Sequence, residues 1–395
     1  MHRRDLLRSL AALPALTLAG RLFAAPPSTP RFLLVFLRGG YDCANALVPY
    51  ASDFYYAARP TLAIARPTVN DANGALALDD SWALAPALRA SIGPLYAAKQ
   101  VAFIPFAGSE DLSRSHFETQ DSIERGLPQA QHDYRNGFMA RLAAVLGARA
   151  APIAFTDAVP LTFTGAGDIP NVSLRTLGTT SFDARQAALL EGMYRDRALH
   201  AAVADGLQLR QQLAEEFAGD AQAANRGAIN ARGFAAQAER VARLMREHYR
   251  VGFIDVGGWD THVNQGAAQG QLATNLDSLG RGLAAFAQAL GAEWNNTVVA
   301  VISEFGRTFR ENGSKGTDHG HGTVYWVLGG SVRGGRIVGE QTRIDRAALL
   351  QDRDLPVLNG YRDVLGGLFA RLWGLDAAQL QRVFPQAKPR DLRLA

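Results

Sequence analysis

The sequence predicts an α/β fold: a doubly wound, mostly parallel sheet with helices on both faces and an inserted helical subdomain. Three observations predict it. Five continuous apolar runs read as buried parallel strands: RFLLVFL ahead of Gly-Gly at 31–40, VAFIPF at 101–106, PIAF at 152–155, VGFIDV at 251–256 and TVVAVIS at 297–303. Helical stretches lie between them, at Ala85 to Lys99, His116 to Gly126 and Gln271 to Trp294, and this alternation is the signature of a sheet covered on both faces. Residues 181–250 break the rhythm. They are rich in Ala, Gln and Arg, carry Leu, Met and Phe at helical spacing, and read as two or three amphipathic helices without a strand. The expected division is a leader at 1–25, a first part of the core at 26–180, a helical insertion at 181–250 and a second part of the core at 251–395. No internal repeat is evident.

The leader is MHRRDLLRSLAALPALTLAGRLFAA. Arg3 and Arg4 precede Leu6 and Leu7, and a short apolar run follows. This matches a twin-arginine export signal, the alternatives being an ordinary secretory signal or an uncleaved anchor. The run is too short for a permanent membrane span, so a periplasmic or secreted protein is expected, with the twin-arginine machinery as a partner. Losing residues 1–25 removes four arginines and one aspartate, and the formal net charge of +4 falls to +1. The apparent basicity belongs to the leader, and no Lys/Arg cluster remains to bind nucleic acid. The one cysteine, Cys43, excludes an intramolecular disulfide and a thiolate metal cage.

Chemistry should gather where parallel strands end, and five segments expected there are unusually polar. They are RGGYDCAN (38–45), DLSRSHFETQD (111–121), DVGGWDTHVNQ (255–265), SEFGRT (303–308) and GTDHGHGT (316–323). Four of the eight histidines, His116, His262, His319 and His321, lie in them. In extended backbone, residues two apart point to one side, so Asp260-x-His262 and the Asp318-His319-x-His321 group can each aim two groups at one point. Imidazole and carboxylate together suit a divalent metal such as zinc, manganese or iron. The plainer alternative is a loop hydrogen-bond network in which Asp260 orients His262. His262 and His321 rank above His319 as ligands, because a turn at Gly320 would point His319 away from its neighbour. Glu304 is either a ligand or the carboxylate that holds a ligand's second ring nitrogen.

Ser115 and Glu118 form the S-x-x-E pattern of a capping box ahead of a helix. A hydroxyl at a helix N-terminus can also act as a nucleophile, so Ser115 carries both readings. Arg38 and Arg307 either fork onto a substrate oxyanion or pair with Asp42 or Glu304. Cys43 reads as a small buried thiol.

FLRGGYD-x-x-N, RSHFETQD, GGWDTH-x-N-Q, SEFGRT and GTDHGHGT, in this order behind a twin-arginine leader, resemble the exported bacterial family called domain of unknown function 1501. That family is grouped with the alkaline phosphatase superfamily, which includes sulfatases and phosphomutases. The resemblance spans nearly the whole mature chain. It implies an alkaline-phosphatase-like fold and metal-centred hydrolysis of phosphate or sulfate esters, on a small anionic substrate or a polyanionic ester. The chain departs from the superfamily at two places. Glu304-Phe305-Gly306 stands where Asp-His-Gly is common, and Arg38-Gly39-Gly40 stands where the first strand would end in a metal-binding Asp, with Asp42 further on. Cys43 lacks the C-x-P-x-R context of formylglycine sulfatases. The resemblance therefore implies a one-metal or rearranged site drawn from Asp42, Asp260, His262, Glu304, Asp318, His319 and His321. Ser115 or a water held by the metal would attack, with His116 or His321 as general acid and Arg307 on the oxyanion. The competing expectation is an exported anion- or metal-binding protein without turnover.

Overall fold

Every second residue of the first strand faces the same side, and both sides are apolar. In β1 (Arg31–Leu37), Leu33, Val35 and Leu37 join one core cluster while Phe32, Leu34 and Phe36 join the other. A strand buried on both faces has no polar side to show, which is why it reads as an unbroken apolar run. The computed structural model describes residues 29–68, 71–156, 158–174 and 234–395.

The remaining strands are β2 (Leu47–Val48), β3 (Leu76–Ala77), β4 (Ala83–Leu84), β5 (Val101–Gly108), β6 (Pro152–Phe155), β7 (Val251–Val256), β8 (Thr297–Ser303), β9 (Thr323–Leu328), β10 (Arg336–Ile337) and β11 (Asn359–Gly360). The main sheet runs β10-β5-β9-β8-β1-β7-β6, with β11 also on β5, and β2, β4 and β3 form a small antiparallel sheet beside it. All pairs in the main sheet are parallel except those of β9, which runs antiparallel between β5 and β8. The fold is α/β with a mostly parallel sheet, and all five apolar runs are strands. β9 is an additional strand: TVYWVL directly follows the polar 303–323 stretch.

Eight helices are described: α1 (Asp53–Ala58), α2 (Ile92–Ala97), α3 (His116–Arg125), α4 (Phe138–Leu146), α5 (Phe234–Glu247), α6 (Gln271–Leu290), α7 (Tyr361–Trp373) and α8 (Ala377–Val383). α5 and α6 cover one face. The buried stripe of α6 is Leu272, Leu276, Leu279, Leu283 and Phe286, at helical spacing. α4, α7 and α8 cover the other face through residues such as Phe138, Leu142, Val364, Leu368 and Val383. The stretch expected as one helix from Ala85 is a 3-10 turn at Pro86–Leu88 followed by α2. Of the expected insertion, residues 181–233 lie outside the described residues, as does the leader. The remainder, α5, packs Val241, Leu244 and Met245 into the same cluster as α6.

Candidate metal centre

Three parallel strands stop in register. Leu37 of β1 pairs with Val256 of β7 on one side and with Ser303 of β8 on the other, so the loops after all three leave from one edge. The antiparallel β9 begins at that edge, which brings residues 304–322 back to it. His116 arrives from the first turn of α3, after β5. The Gly-Gly after β1 is a requirement of this crowding. Gly39 has φ +119° and a Cβ there would lie 2.8 Å from the Asp260 amide nitrogen. Gly40 has φ +60° and a Cβ would lie 2.4 Å from the Phe305 ring.

Asp260 Oδ1 is the point of convergence. His262 Nε2 lies 2.9 Å from it, His319 Nε2 3.2 Å and His116 Nε2 3.5 Å. The Nε2 atoms of His262 and His319 are 3.1 Å apart. One ligand atom each from His116, Asp260 and His319 falls within 4.8 Å of the others. In every ring the opposite nitrogen is occupied: His116 Nδ1 by Glu304 Oε1 at 2.8 Å, His262 Nδ1 by Asp318 Oδ1 at 3.1 Å, and His319 Nδ1 by the Arg114 carbonyl at 2.9 Å. A carbonyl or an ionised carboxylate only accepts, so Nδ1 carries the hydrogen, and in the neutral ring Nε2 presents a lone pair. Three Nε2 atoms and a carboxylate thus face one another, with one cation already beside them: the Arg307 guanidinium donates to Asp260 Oδ1 and lies 3.4 Å from His262 Nε2.

In both carboxylates the hydrogen-bond partners override burial. Burial alone would raise Asp260, yet its hydrogen bond with Arg307 holds it below the usual carboxylate range. Glu304 is fully buried, which would raise it, but hydrogen bonds from His116 Nδ1, Gln120 Nε2 and the Gly39 amide hold it low. Gly39 and Glu304 are 265 positions apart in the chain. The same Glu304 bond raises His116, whereas burial and the charge of His116 lower His319. Phe305 ligates nothing; its ring packs on His116 and His319, with centroids 4.9 and 5.2 Å away.

Whether these residues fit a metal is tested by their free atoms. His116 Nε2 is buried and has no hydrogen-bond partner, and each ring is held by the carboxylate or carbonyl that fixes a ligating imidazole's tautomer. His116, Asp260 and His319 can each offer a divalent ion one ligand atom, with Glu304 behind the His116 ring and His262, backed by Asp318, beside Asp260 and His319.

The geometry separates the other expected site residues from this centre. Asp42 is fully buried in a bidentate pair with Arg59, at 2.5 and 3.0 Å, and accepts from Gln265 Nε2 at 2.6 Å. It belongs to this buried pair and is not among the residues gathered with Asp260. His319, not His321, joins the cluster with His116 and Asp260, whereas His321 is buried near Arg114 and Asp111. Burial, with Arg114 nearby, lowers His321 to about 4, which leaves it neutral. Arg307 is fully buried and donates to the carbonyls of Gly39, Gly40, Thr317 and Trp259 as well as to Asp260. With its donors taken, it clamps the loops rather than binding an oxyanion. Arg38 is likewise committed, to Asp255, Gln120 and Glu124. Ser115 is the N-cap of α3 and accepts from the Glu118 amide at 3.4 Å.

Two contributing residues escaped the sequence reading. Gln120 bridges Arg38 and Glu304, and its position four residues after His116 puts both on one helix face, a signal that was available. Asn312 donates to Asp318 Oδ1 and to the His262 carbonyl, each at 3.0 Å, and no spacing rule points to it.

A family model described as Protein of unknown function (DUF1501) matches residues 29–384. The chain belongs to the DUF1501 family. No curated protein matches this DUF1501 chain. Among solved structures, it is similar to a protein in the alkaline phosphatase superfamily from Vibrio parahaemolyticus, at 12% identity and TM-score 0.40, over 92% of this chain and 70% of that one. A structure described as Ps i-CgsB in complex with k-i-k-neocarrahexaose aligns at 10% identity and TM-score 0.40, over 89% and 74%. The soluble domain of lipooligosaccharide phosphoethanolamine transferase A from Neisseria meningitidis aligns at 9% and 0.35, over 78% and 79%.

Proposed function

We propose that the protein is a metal-dependent hydrolase of phosphate or sulfate esters with a single metal centre at His116, Asp260, His262 and His319. The observation that carries this reading is the convergence of three imidazole Nε2 atoms on Asp260 Oδ1, each ring fixed from behind. A bound divalent ion would supply Lewis acidity toward an ester oxygen. Glu304 and Asp318 hold two rings in the tautomer that offers Nε2, and the Arg114 carbonyl holds the third. Arg307 keeps Asp260 ionised. Ser115 Oγ remains the side-chain nucleophile to test against water, since capping uses only its lone pair.

The competing reading is an exported metal- or anion-binding protein without turnover. It draws on Arg307, which already compensates the Asp260 charge. Metal analysis of the protein as purified, with assays on aryl phosphate and aryl sulfate, separates the two. Stoichiometric metal and an activity lost in a folded His262→Ala variant support the hydrolase. Metal without turnover leaves the binding protein, and no metal at any loading removes the centre.

Export by the twin-arginine route is proposed on Arg3 and Arg4 ahead of the apolar run. Replacing both with lysine should retain the protein in the cytoplasm, and unchanged export would refute the route. Among the described residues, no helix is long and apolar enough to cross a membrane.

A further inference from the structure

The loops at 259–265 and 316–319 each turn a threonine to the interior beside their site residues. Asp260 and His262 face the centre while Thr261, between them, is 1% exposed. Asp318 and His319 face it while Thr317, just before them, is 0% exposed. The two inward threonines meet on one side chain. Gln265 Oε1 accepts from Thr261 Oγ1 at 2.7 Å and from Thr317 Oγ1 at 2.8 Å. Its Nε2 donates to Asp42 Oδ2 at 2.6 Å, and Asp42 is locked by Arg59. Arg59 in turn donates to the carbonyls of Thr308 and Phe309. The loops also touch through Thr317 N to Thr261 O at 3.2 Å and Gln265 N to Lys315 O at 2.9 Å.

From this geometry we infer that Gln265 is the positioning residue of the metal centre, holding the Asp260–His262 and Asp318–His319 loops at ligand spacing through the Thr261 and Thr317 hydroxyls. The inference rests on the metal-centre reading and adds to it a buried relay that touches no ligand. A carboxamide suits the position because one oxygen can accept both hydroxyls while the nitrogen donates to Asp42. A carboxylate would accept from the threonines but repel Asp42. An apolar side chain would leave two hydroxyls buried without that acceptor and take one of two donors from Asp42 Oδ2, which keeps Arg59. Without Gln265 the loops keep the ties through Arg307, Asn312 and the His262–Asp318 pair but lose the one buried beneath the site residues. Partners that bond a ligand directly govern about 10- to 100-fold in metal affinity, and for a relay one step further out the lower end of that range is expected.

The test uses cobalt(II), whose visible spectrum reports ligand geometry directly, on the full-length mature protein. Thr261→Val/Thr317→Val keeps shape and removes both hydroxyls, while Thr261→Ser/Thr317→Ser keeps the hydroxyls. The expected result is a cobalt affinity at least about 10-fold weaker with an altered spectrum in the valine pair, and wild-type values in the serine pair. A filler role predicts the reverse, since serine loses packing and valine does not. Wild-type cobalt binding in the valine pair would overturn the inference while leaving the metal centre standing. No cobalt binding by the wild type would overturn both. Should the valine pair fail to fold, Thr317→Val alone and Gln265→Glu carry the same comparison, with cobalt affinity unchanged in both as the refuting outcome.

Discussion

At the scale of single residues, the tautomers decide the chemistry. A ring nitrogen facing a carbonyl must carry hydrogen, so the Arg114 carbonyl commits His319 Nε2 to accept or ligate. Ser115 is a cap by geometry, and Ser115→Ala should cost about 1 kcal/mol in urea unfolding, with Ser115→Asp restoring most of it. An Asp variant of full stability and no ester turnover would instead mark Ser115 as the nucleophile. Cys43 provides a pH test away from the site. Burial, reinforced by the Asp42 charge, pushes its thiol up to about 12. The protonated form is the one the fold accommodates, so this contribution to stability is intact below the unfolded thiol's ordinary value of about 8.5. It is lost as pH rises toward 12. Urea midpoints between pH 8 and pH 11 should fall less steeply in Cys43→Ala than in the wild type, and thiol reagents should label Cys43 only in denaturant.

At the scale of elements, the site is a set of loops pressed together at one sheet edge. Gly39→Ala would force a Cβ against the Asp260 amide at a φ that L residues avoid. A loss of roughly 1–3 kcal/mol is expected, together with weaker metal binding, because the displaced atom belongs to a ligand's own backbone. A variant with unchanged unfolding and unchanged metal affinity would contradict the close approach. How much of this was legible in the sequence follows from range. The five doubly buried strands announced themselves as apolar runs, and Asp260-x-His262 and Asp318-His319 as polar pairs beside them. Local pattern could not tell His319 from His321, since their separation depends on how the chain bends at Gly320 against Gly306. Nor could it show that Asp42 belongs to Arg59, a partner on another element. β9 directly follows the polar stretch and is not among the five runs.

At the scale of the whole molecule, the centre ties both parts of the core, with His116 from the first and Asp260, His262 and His319 from the second. A ligand held only by the native state stabilises it by mass action. Zinc or cobalt at 100 times its dissociation constant should therefore add about 2.7 kcal/mol to unfolding. Asp260→Asn should lose most of that gain, and a thermal shift equal to the wild type's would refute its role. The pairing of β1 with β7 and β8 and the contact of Gly39 with Glu304, 265 positions away, also bear on when the centre comes into being. Joining such distant stretches is entropically slow, so the ligands meet only after most of the sheet has zipped up. Metal then has nothing to grip in the partly folded chain. If the proposed centre holds an ion, added zinc should leave the refolding rate as it is and slow unfolding instead, and the ion would work as a latch on a finished structure rather than as a template for making it.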